Sequence, residues 1–268
     1  MRTIAHISDL HFGREEPKVA EALVADLESV TPSLVAVSGD LTQRARRREF
    51  AAARDYLQRL TVPVLVVPGN HDIPLFDLAR RFLTPLHRYR RYIAEDVMPF
   101  YHDEELAVLG VNTARRNHYK HGRLSLAQIE QIRERLSPIP ESVFKVIVTH
   151  HPFIPPPDDA SPPLVGRGPE GLKAAEAAGV DLLLAGHMHF GYTGDVRAHH
   201  PVIRRSIMVA QAGTAISRRL RREANTYNLI RIEPPHLALE VRGWKGARFE
   251  PKLIERYVKR EDVWHREA

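Results

Sequence analysis

Five short stretches each place a carboxylate, an amide or an imidazole behind an apolar run of strand length: Asp9-Leu10-His11, Gly39-Asp40, Gly69-Asn70-His71-Asp72, His150-His151-Pro152 and Gly186-His187-Met188-His189. Between them Asp9, His11, Asp40, Asn70, His150, His187 and His189 offer carboxylate oxygen, amide oxygen and imidazole nitrogen, with no thiolate. A mixed nitrogen and oxygen set suits Mn, Fe, Zn or Co better than Mg or Ca, which prefer oxygen alone. Seven donors exceed what one catalytic ion would use while keeping a position open for water, so two divalent ions are expected. A single histidine after a strand is more often a surface or satisfied core residue. The repetition of such pieces, in one order and each after an apolar run, is what points to a site.

These blocks resemble the calcineurin-like metallophosphoesterases, whose pattern is D-x-H, G-D, G-N-H-[D/E], a lone H, and G-H-x-H. All five are present in order between residues 9 and 189. The resemblance implies that Asp9, His11, Asp40 and His189 hold one ion, that Asp40, Asn70, His150 and His187 hold the other, and that Asp40 bridges them. It implies hydrolysis of a phosphate ester by a hydroxide shared between the ions. Two divalent ions, less the charges of Asp9, Asp40 and that hydroxide, leave one net positive charge to attract a phosphate anion. His71, beside a ligand but outside the ligand set, is the expected catalytic residue, hydrogen-bonding a phosphoryl oxygen or protonating the leaving alkoxide. Adjacency suggests that Asp72 orients it. Where part of the family has an aspartate three residues after the bridging one, this chain has Gln43. The Gly39-Asp40-Leu41-Thr42 form is similar to the bacterial cyclic-nucleotide phosphodiesterases, so a cyclic or linear nucleotide phosphodiester is the first expectation for substrate. The alternatives are a lipid-linked pyrophosphate of the UDP-diacylglucosamine type and, from another class, a non-catalytic metal-stabilised scaffold. Scaffolds of this fold tend to lack ligands or the G-N-H histidine, and this chain has both.

The elements that must position these residues follow from periodicity. Residues 2–8, 34–37 and 62–67 read as strands, separated by helical patterns over 15–30 and 45–60, a β-α-β-α-β run. Ligands at the carboxyl ends of such strands are what an open α/β sheet predicts. Further strands are expected at 106–112, 143–149, 180–185, 207–211, 227–232 and 237–242, with helices at 124–136, where Ser125 is the N-cap, and 170–178. The Pro-rich stretch 152–163 reads as a loop. The expected fold is α/β: two packed mixed β-sheets flanked by helices, an αββα sandwich and the family's fold, in a single domain over 1–268. Its second sheet is expected to consist largely of the strands beyond residue 206. The charged tail from Glu250 carries no clear pattern.

Residues 75–98 break the alternation with an amphipathic, basic and aromatic segment directly after Asp72. One reading is a helical cap insertion that brings Arg88 and Arg91 to the substrate or touches a membrane surface. The other is a helix pair with a solvated arginine face. The loop 115–122 could add His118 and His121 on the substrate side, and the H-H-P form places His151 behind the ligand His150 or toward the substrate. Ser217-Arg218-Arg219-Leu220-Arg221-Arg222 reads as a solvated basic edge. No aromatic platform or nucleic-acid motif accompanies it, so nucleic acid is not an expected partner.

At 268 residues and 43% hydrophobic content the chain can bury a large core. Its formal charge is +6 and its basic residues are 32 Arg against 7 Lys. Arginine clamps phosphate in bidentate fashion, although a GC-rich genome, which favours Arg and Ala codons together, accounts for the bias equally well. Zero cysteines exclude disulfides and thiolate metal sites. The strand beginning at residue 2 leaves no apolar leader, which makes the cytoplasm the expected compartment. The partner implied is a small phosphate ester, and the oligomeric state stays open.

Overall fold

A computed structural model describes residues 1–159 and 164–267. The first half of the chain alternates β1 (Arg2–Ile7), α1 (Pro17–Val30), β2 (Leu34–Val37), α2 (Arg47–Leu57) and β3 (Val64–Val66). Two short helices follow, α3 (Leu78–Leu83) and α4 (His87–Tyr92). After them come β4 (Phe100–His102), β5 (Leu106–Gly110), α5 (Leu126–Leu136), β6 (Phe144–Val148), α6 (Gly168–Ala177) and β7 (Leu182–Ala185). The remainder is strand: β8 (Tyr192–Asp195), β9 (Met208–Gln211), β10 (Thr226–Glu233), β11 (His236–Trp244), β12 (Phe249–Arg260) and β13 (Val263–Arg266). Residues 160–163 of the Pro-rich loop lie outside the described residues.

Two mixed sheets form. One has the order β13-β12-β11-β10-β1-β2-β3, the other β4-β5-β6-β7-β9-β8. The division corrects the expectation for the C-terminal strands: β10 to β13 extend the N-terminal sheet, through antiparallel pairing of β10 with β1, and only β9 joins β7 in the second. The reason lies in connection lengths. Strands β5, β6 and β7 already form a parallel set bridged by α5 and α6, whereas the hairpin strands that follow find an open edge at β1. The charged tail folds too. In β12, Leu253 and Ile254 face solvent while Glu255 is buried and accepts hydrogen bonds from Thr193 Oγ1 and Tyr257 Oη. Buried partners for a charged residue are a tertiary property, invisible to hydrophobic periodicity.

Alternation places the core in three layers. Ile4, Leu34, Ala36 and Leu65 meet Val108, Val146 and Leu184 between the sheets. Their neighbours Ala5, Val35 and Val37 turn outward to α1 and α2. On the far side Ala107, Ile147 and Leu183 pack under α5 and α6. Strands buried on both faces must be continuously apolar, which is why the short runs were legible. Helix starts are equally local: Pro17 opens α1, and Ser125 Oγ accepts the Gln128 N–H at the start of α5. Among the described residues no helix is long and apolar enough to cross a membrane.

Candidate metal centre

The seven sequence-predicted donors converge where the carboxyl ends of β1, β2 and β3 in one sheet meet those of β6 and β7 in the other. To turn them inward the chain adopts left-handed backbone at five of them: Asp9 (φ 53°), His11 (47°), Asp40 (53°), His187 (76°) and His189 (65°). Such conformations cost about 1 kcal/mol or more each in non-glycine residues and persist only where surrounding structure imposes them. The glycines serve the same packing. Gly39 takes φ +92°, and a Cβ at Gly69 would strike the Asp40 carboxylate.

The donor atoms face one another at 3.1–3.7 Å, some within hydrogen-bond reach and some beyond it. His11 Nε2 lies 3.4 Å from Asp9 Oδ1 and 3.7 Å from Asp40 Oδ2, and His189 Nε2 lies 3.5 Å from Asp9 Oδ1. On the other side His150 Nε2 lies 3.4 Å from Asp40 Oδ1 and 3.1 Å from Asn70 Oδ1, with His187 Nδ1 also 3.1 Å from Asn70 Oδ1. Metal bonds of about 2.1 Å place neighbouring ligands roughly 3.0–3.4 Å apart, so these separations fit atoms arranged around ions. Asp9 Oδ1 and His11 Nε2 are buried without a hydrogen-bond partner, although each is a strong hydrogen-bonding atom. Asp9, His11 and His189 form one cluster of potential ligands and Asp9, Asp40 and His150 another.

The outer nitrogens of the rings are tied down, which aims the inner ones. His150 Nδ1 contacts the Ser38 carbonyl at 2.7 Å, and His189 Nδ1 contacts Thr214 Oγ1 at 2.8 Å. Burial works against ionising Asp9 and Asp40, yet the surrounding histidines hold both carboxyls below their usual range. Burial likewise opposes protonation of His150, but Asp40 and Asp9 raise it to about 9. Burial, then repulsion from His150, lowers His187 to about 3, and burial lowers His189 to about 4. Neutral imidazoles beside ionised carboxylates are the state a divalent ion needs.

His71 stands beside the cluster. Its backbone N–H donates to Asp40 Oδ1 at 2.8 Å, its Nδ1–H donates to the Gln43 carbonyl at 2.9 Å, and its Nε2 accepts from Arg219 Nη1 at 2.8 Å. Thus the backbone of residue 43 orients the ring where its side chain offers no carboxylate. Burial keeps the imidazole below the ordinary histidine range. The expectation for Asp72 is corrected: its carboxylate does not reach the His71 ring. It accepts from the backbone N–H groups of Gly69, Leu41 and Thr42 and from Thr42 Oγ1, lacing the two metal loops together.

A cavity of about 260 Å³ opens over the cluster, with Asp40, Asn70, His71, His187 and His189 in its lining. The other expected substrate contacts lie elsewhere. Arg88 donates to the Ala45 carbonyl at 2.7 Å, Arg91 is exposed, and neither lines the cavity. His118 lends its backbone carbonyl to the buried Arg81, and His121 points to solvent. His151 is buried behind His150 and His187, with Nδ1 2.8 Å from Thr113 Oγ1 and an unpartnered Nε2 that groups with those two rings. From the segment after Asp72 it is Leu75 that reaches the cavity, and from the 115–122 loop Tyr119 and Lys120. Arg219 and Arg221 line it too, so the basic run, exposed at Arg218, Leu220, Arg221 and Arg222 as expected, also borders the cavity. Nothing in residue order sets Arg219 and Arg221 apart from Arg218 and Arg222, which turn to Glu16 and Asp159.

Comparison with known proteins bears on this geometry. A sequence model described as calcineurin-like phosphoesterase matches residues 2–191. A protein named as a probable cyclic nucleotide phosphodiesterase from Synechococcus is 26% identical over 207 residues, covering 70% of this chain and 73% of its own length. A glycerophosphodiester phosphodiesterase from Enterobacter lignolyticus is 39% identical over 80 residues, 26% of this chain and 29% of that one. Among solved structures, a dimetal phosphatase from Danio rerio superposes with a TM-score of 0.65 at 15% identity, covering 90% of this chain and 96% of that one. A purple acid phosphatase from yellow lupin gives 0.68 at 11% identity, over 94% of this chain and 53% of the other. At such identities the structural likeness establishes the αββα fold.

Proposed function

Because the chain belongs to the calcineurin-like phosphoesterase family, and is therefore a phosphoric ester hydrolase that works with divalent metal, we propose that it cleaves a phosphodiester at a two-metal centre. The observation that carries this reading is the position of Asp40. Its Oδ2 faces His11, and its Oδ1 faces His150. One carboxylate thus presents an oxygen to each half of the donor set, with Asp9, His11 and His189 on one side and Asn70, His150 and His187 on the other. Mn, Fe, Zn and Co all suit these ligands. Bound there, two such ions supply a water of lowered pKa and positive charge at the attacking and leaving oxygens of an in-line displacement.

The chain's own groups do the rest. Arg219 Nη1, at the cavity mouth beside His71 Nε2, is placed to meet a non-bridging phosphoryl oxygen with a charge-assisted hydrogen bond. His71 is neutral with its proton on Nδ1, so it accepts rather than donates at Nε2 in the free protein. An arriving anion draws the guanidinium away, and the ring takes up a second proton from solvent at Nε2. His71 then donates from Nε2 to the departing alkoxide while the Gln43 carbonyl keeps the imidazole in place. Asp72 holds the Asp40 and Asn70 loops in register throughout.

Both relatives are named as phosphodiesterases, and a nucleotide diester, cyclic or linear, is the substrate class supported by the one named as a probable cyclic nucleotide phosphodiesterase. An amphiphilic pyrophosphate is the second reading, favoured by Phe76 and Leu83, 76% and 80% exposed, on the segment that carries Leu75 into the cavity. A panel run with added Mn decides: cyclic nucleotides, bis-p-nitrophenyl phosphate, p-nitrophenyl phosphate and a UDP-sugar lipid. Turnover of the diesters with little of the monoester is the expected result. Activity confined to the monoester would overturn the diesterase reading.

A further inference from the structure

We propose that the rim of the cavity is a second anion subsite, so that the natural substrate carries a phosphate in addition to the one hydrolysed; the proposal rests on the phosphodiesterase reading above. Four cations line the cavity, Arg44, Lys120, Arg219 and Arg221, against a single carboxylate, Asp40, which faces the metal ligands. Among the described residues, no ion pair involves any of the four. The contrast within one short run is the strongest observation. Arg218 pairs with Glu16 at 2.8 Å, and Arg222 lies 3.7 Å from Asp159 and over the Phe190 ring. Arg219 and Arg221, between them, line the cavity and meet no carboxylate among the described residues.

Two of these cations are held in place. The Arg219 N–H donates to Ser217 Oγ and its carbonyl accepts from Thr214 Oγ1, the same hydroxyl that contacts His189. Arg44 rests its guanidinium 5.0 Å from the centre of the Phe76 ring, while its backbone N–H donates to the buried Glu49. Gathered around one cavity of about 260 Å³, these like charges repel one another. A fold that neutralises its neighbouring arginines and leaves these unneutralised is matched to an anion that arrives with the substrate.

Charge counting says how much anion. With two divalent ions bound, Asp9, Asp40 and a hydroxide would leave about one positive charge, which one diester monoanion would satisfy. Arg219 is committed to that phosphoryl group. Arg44, Lys120 and Arg221 remain without a counter-charge, and a phosphomonoester of nearly two negative charges is the group they fit. Leu75, Ile73 and Tyr119 supply apolar surface in the same lining, where a sugar or base would separate the two phosphates. The substrate class is thus a phosphodiester with a second phosphate on the same small molecule, such as a nucleoside derivative phosphorylated at both the 3′ and 5′ positions.

Binding and turnover test this separately. Calorimetry compares thymidine 3′,5′-bisphosphate with thymidine 5′-monophosphate on Mn-loaded protein, in wild type, in Lys120→Gln/Arg221→Gln, and in Arg47→Gln/Arg48→Gln, which removes the same charge from exposed positions outside the cavity. The bisphosphate should bind at least about tenfold more tightly in the wild type, with the advantage shrinking as salt rises. Lys120→Gln/Arg221→Gln should reduce the ratio to about twofold or less, and Arg47→Gln/Arg48→Gln should leave it intact. Equal binding of the two nucleotides by wild type, or a ratio that survives Lys120→Gln/Arg221→Gln, overturns the subsite. Hydrolysis of bis-p-nitrophenyl phosphate is measured alongside. Turnover without a binding ratio removes the subsite and keeps the diesterase; a ratio without turnover of any diester does the reverse.

Discussion

At the floor of the cavity Asp9, His11, Asp40 and His150 are at most 1% exposed, short side chains hung on strand ends. At the rim Lys120 and Arg221 are exposed and Arg44 and Arg219 half-buried, long side chains carried by loops. The floor needs sub-ångström placement, because metal bonds tolerate little variation in length. It is accordingly built from strained backbone, glycine contacts and ring nitrogens tied to backbone and hydroxyl oxygens. The rim works through charge, which acts over several ångströms and tolerates flexible side chains. Substitutions should therefore fail differently in the two regions: floor changes through metal content and turnover, rim changes through substrate preference.

The largest effect tests the floor. Asp40→Asn should reduce bound metal from about two ions per chain to one or fewer and cut turnover by roughly a thousandfold or more, because its two oxygens face both halves of the donor set. Elemental analysis with a diester assay checks it, and wild-type metal content in the variant would dissolve the distinction between floor and rim.

His71→Ala probes the boundary between the regions, since its backbone touches Asp40 while its ring faces the rim. It should keep its metal and lose about a hundredfold in kcat. Loss of metal instead would move His71 into the floor. For Arg219→Ala, one step further out, we expect about a tenfold loss in kcat/KM at full metal occupancy, with partial recovery in Arg219→Lys, which restores charge without the bidentate fork.

The smallest effects belong outside both regions. Arg88→Ser removes a hydrogen bond to the Ala45 carbonyl and should cost about 1 kcal/mol in urea unfolding, while KM for a diester stays within about twofold of wild type. Arg91→Ser, at an exposed position, should change neither stability nor kinetics measurably. A substantial rise in KM for either would show that the rim extends along α4.

The comparison also explains what could be read from residue order. Floor residues were legible because each sits two to four positions beyond a buried strand, and strands of that kind announce themselves as apolar runs. Rim residues were not: Arg219 and Arg221 are indistinguishable in composition from Arg218 and Arg222, and only the positions of Glu16, Asp159 and the cavity separate the pairs. Arg88 and Arg91 looked equally suited to phosphate, yet α4 packs through Tyr89, whose hydroxyl donates to the Val66 carbonyl, and turns these arginines away from the cavity. Asp72 was misread for a related reason. Its neighbour in sequence is His71, but its neighbours in space are the amides of Gly69, Leu41 and Thr42.

By itself the sequence determined the ligand types, their order and the strands that carry them, because periodicity, turn glycines and donor chemistry are local properties. Tertiary structure alone decided that five of the seven donors take left-handed backbone, that Asp40 presents one oxygen to each side, and that β10 to β13 extend the first sheet. It also decided which arginines remain unpaired. Each of these depends on distances between residues far apart in the chain: His187 donates its N–H to Asp9 across 178 positions, and Arg219 meets His71 across 148. No local pattern encodes such a contact, which exists only once both sheets have closed on their shared core.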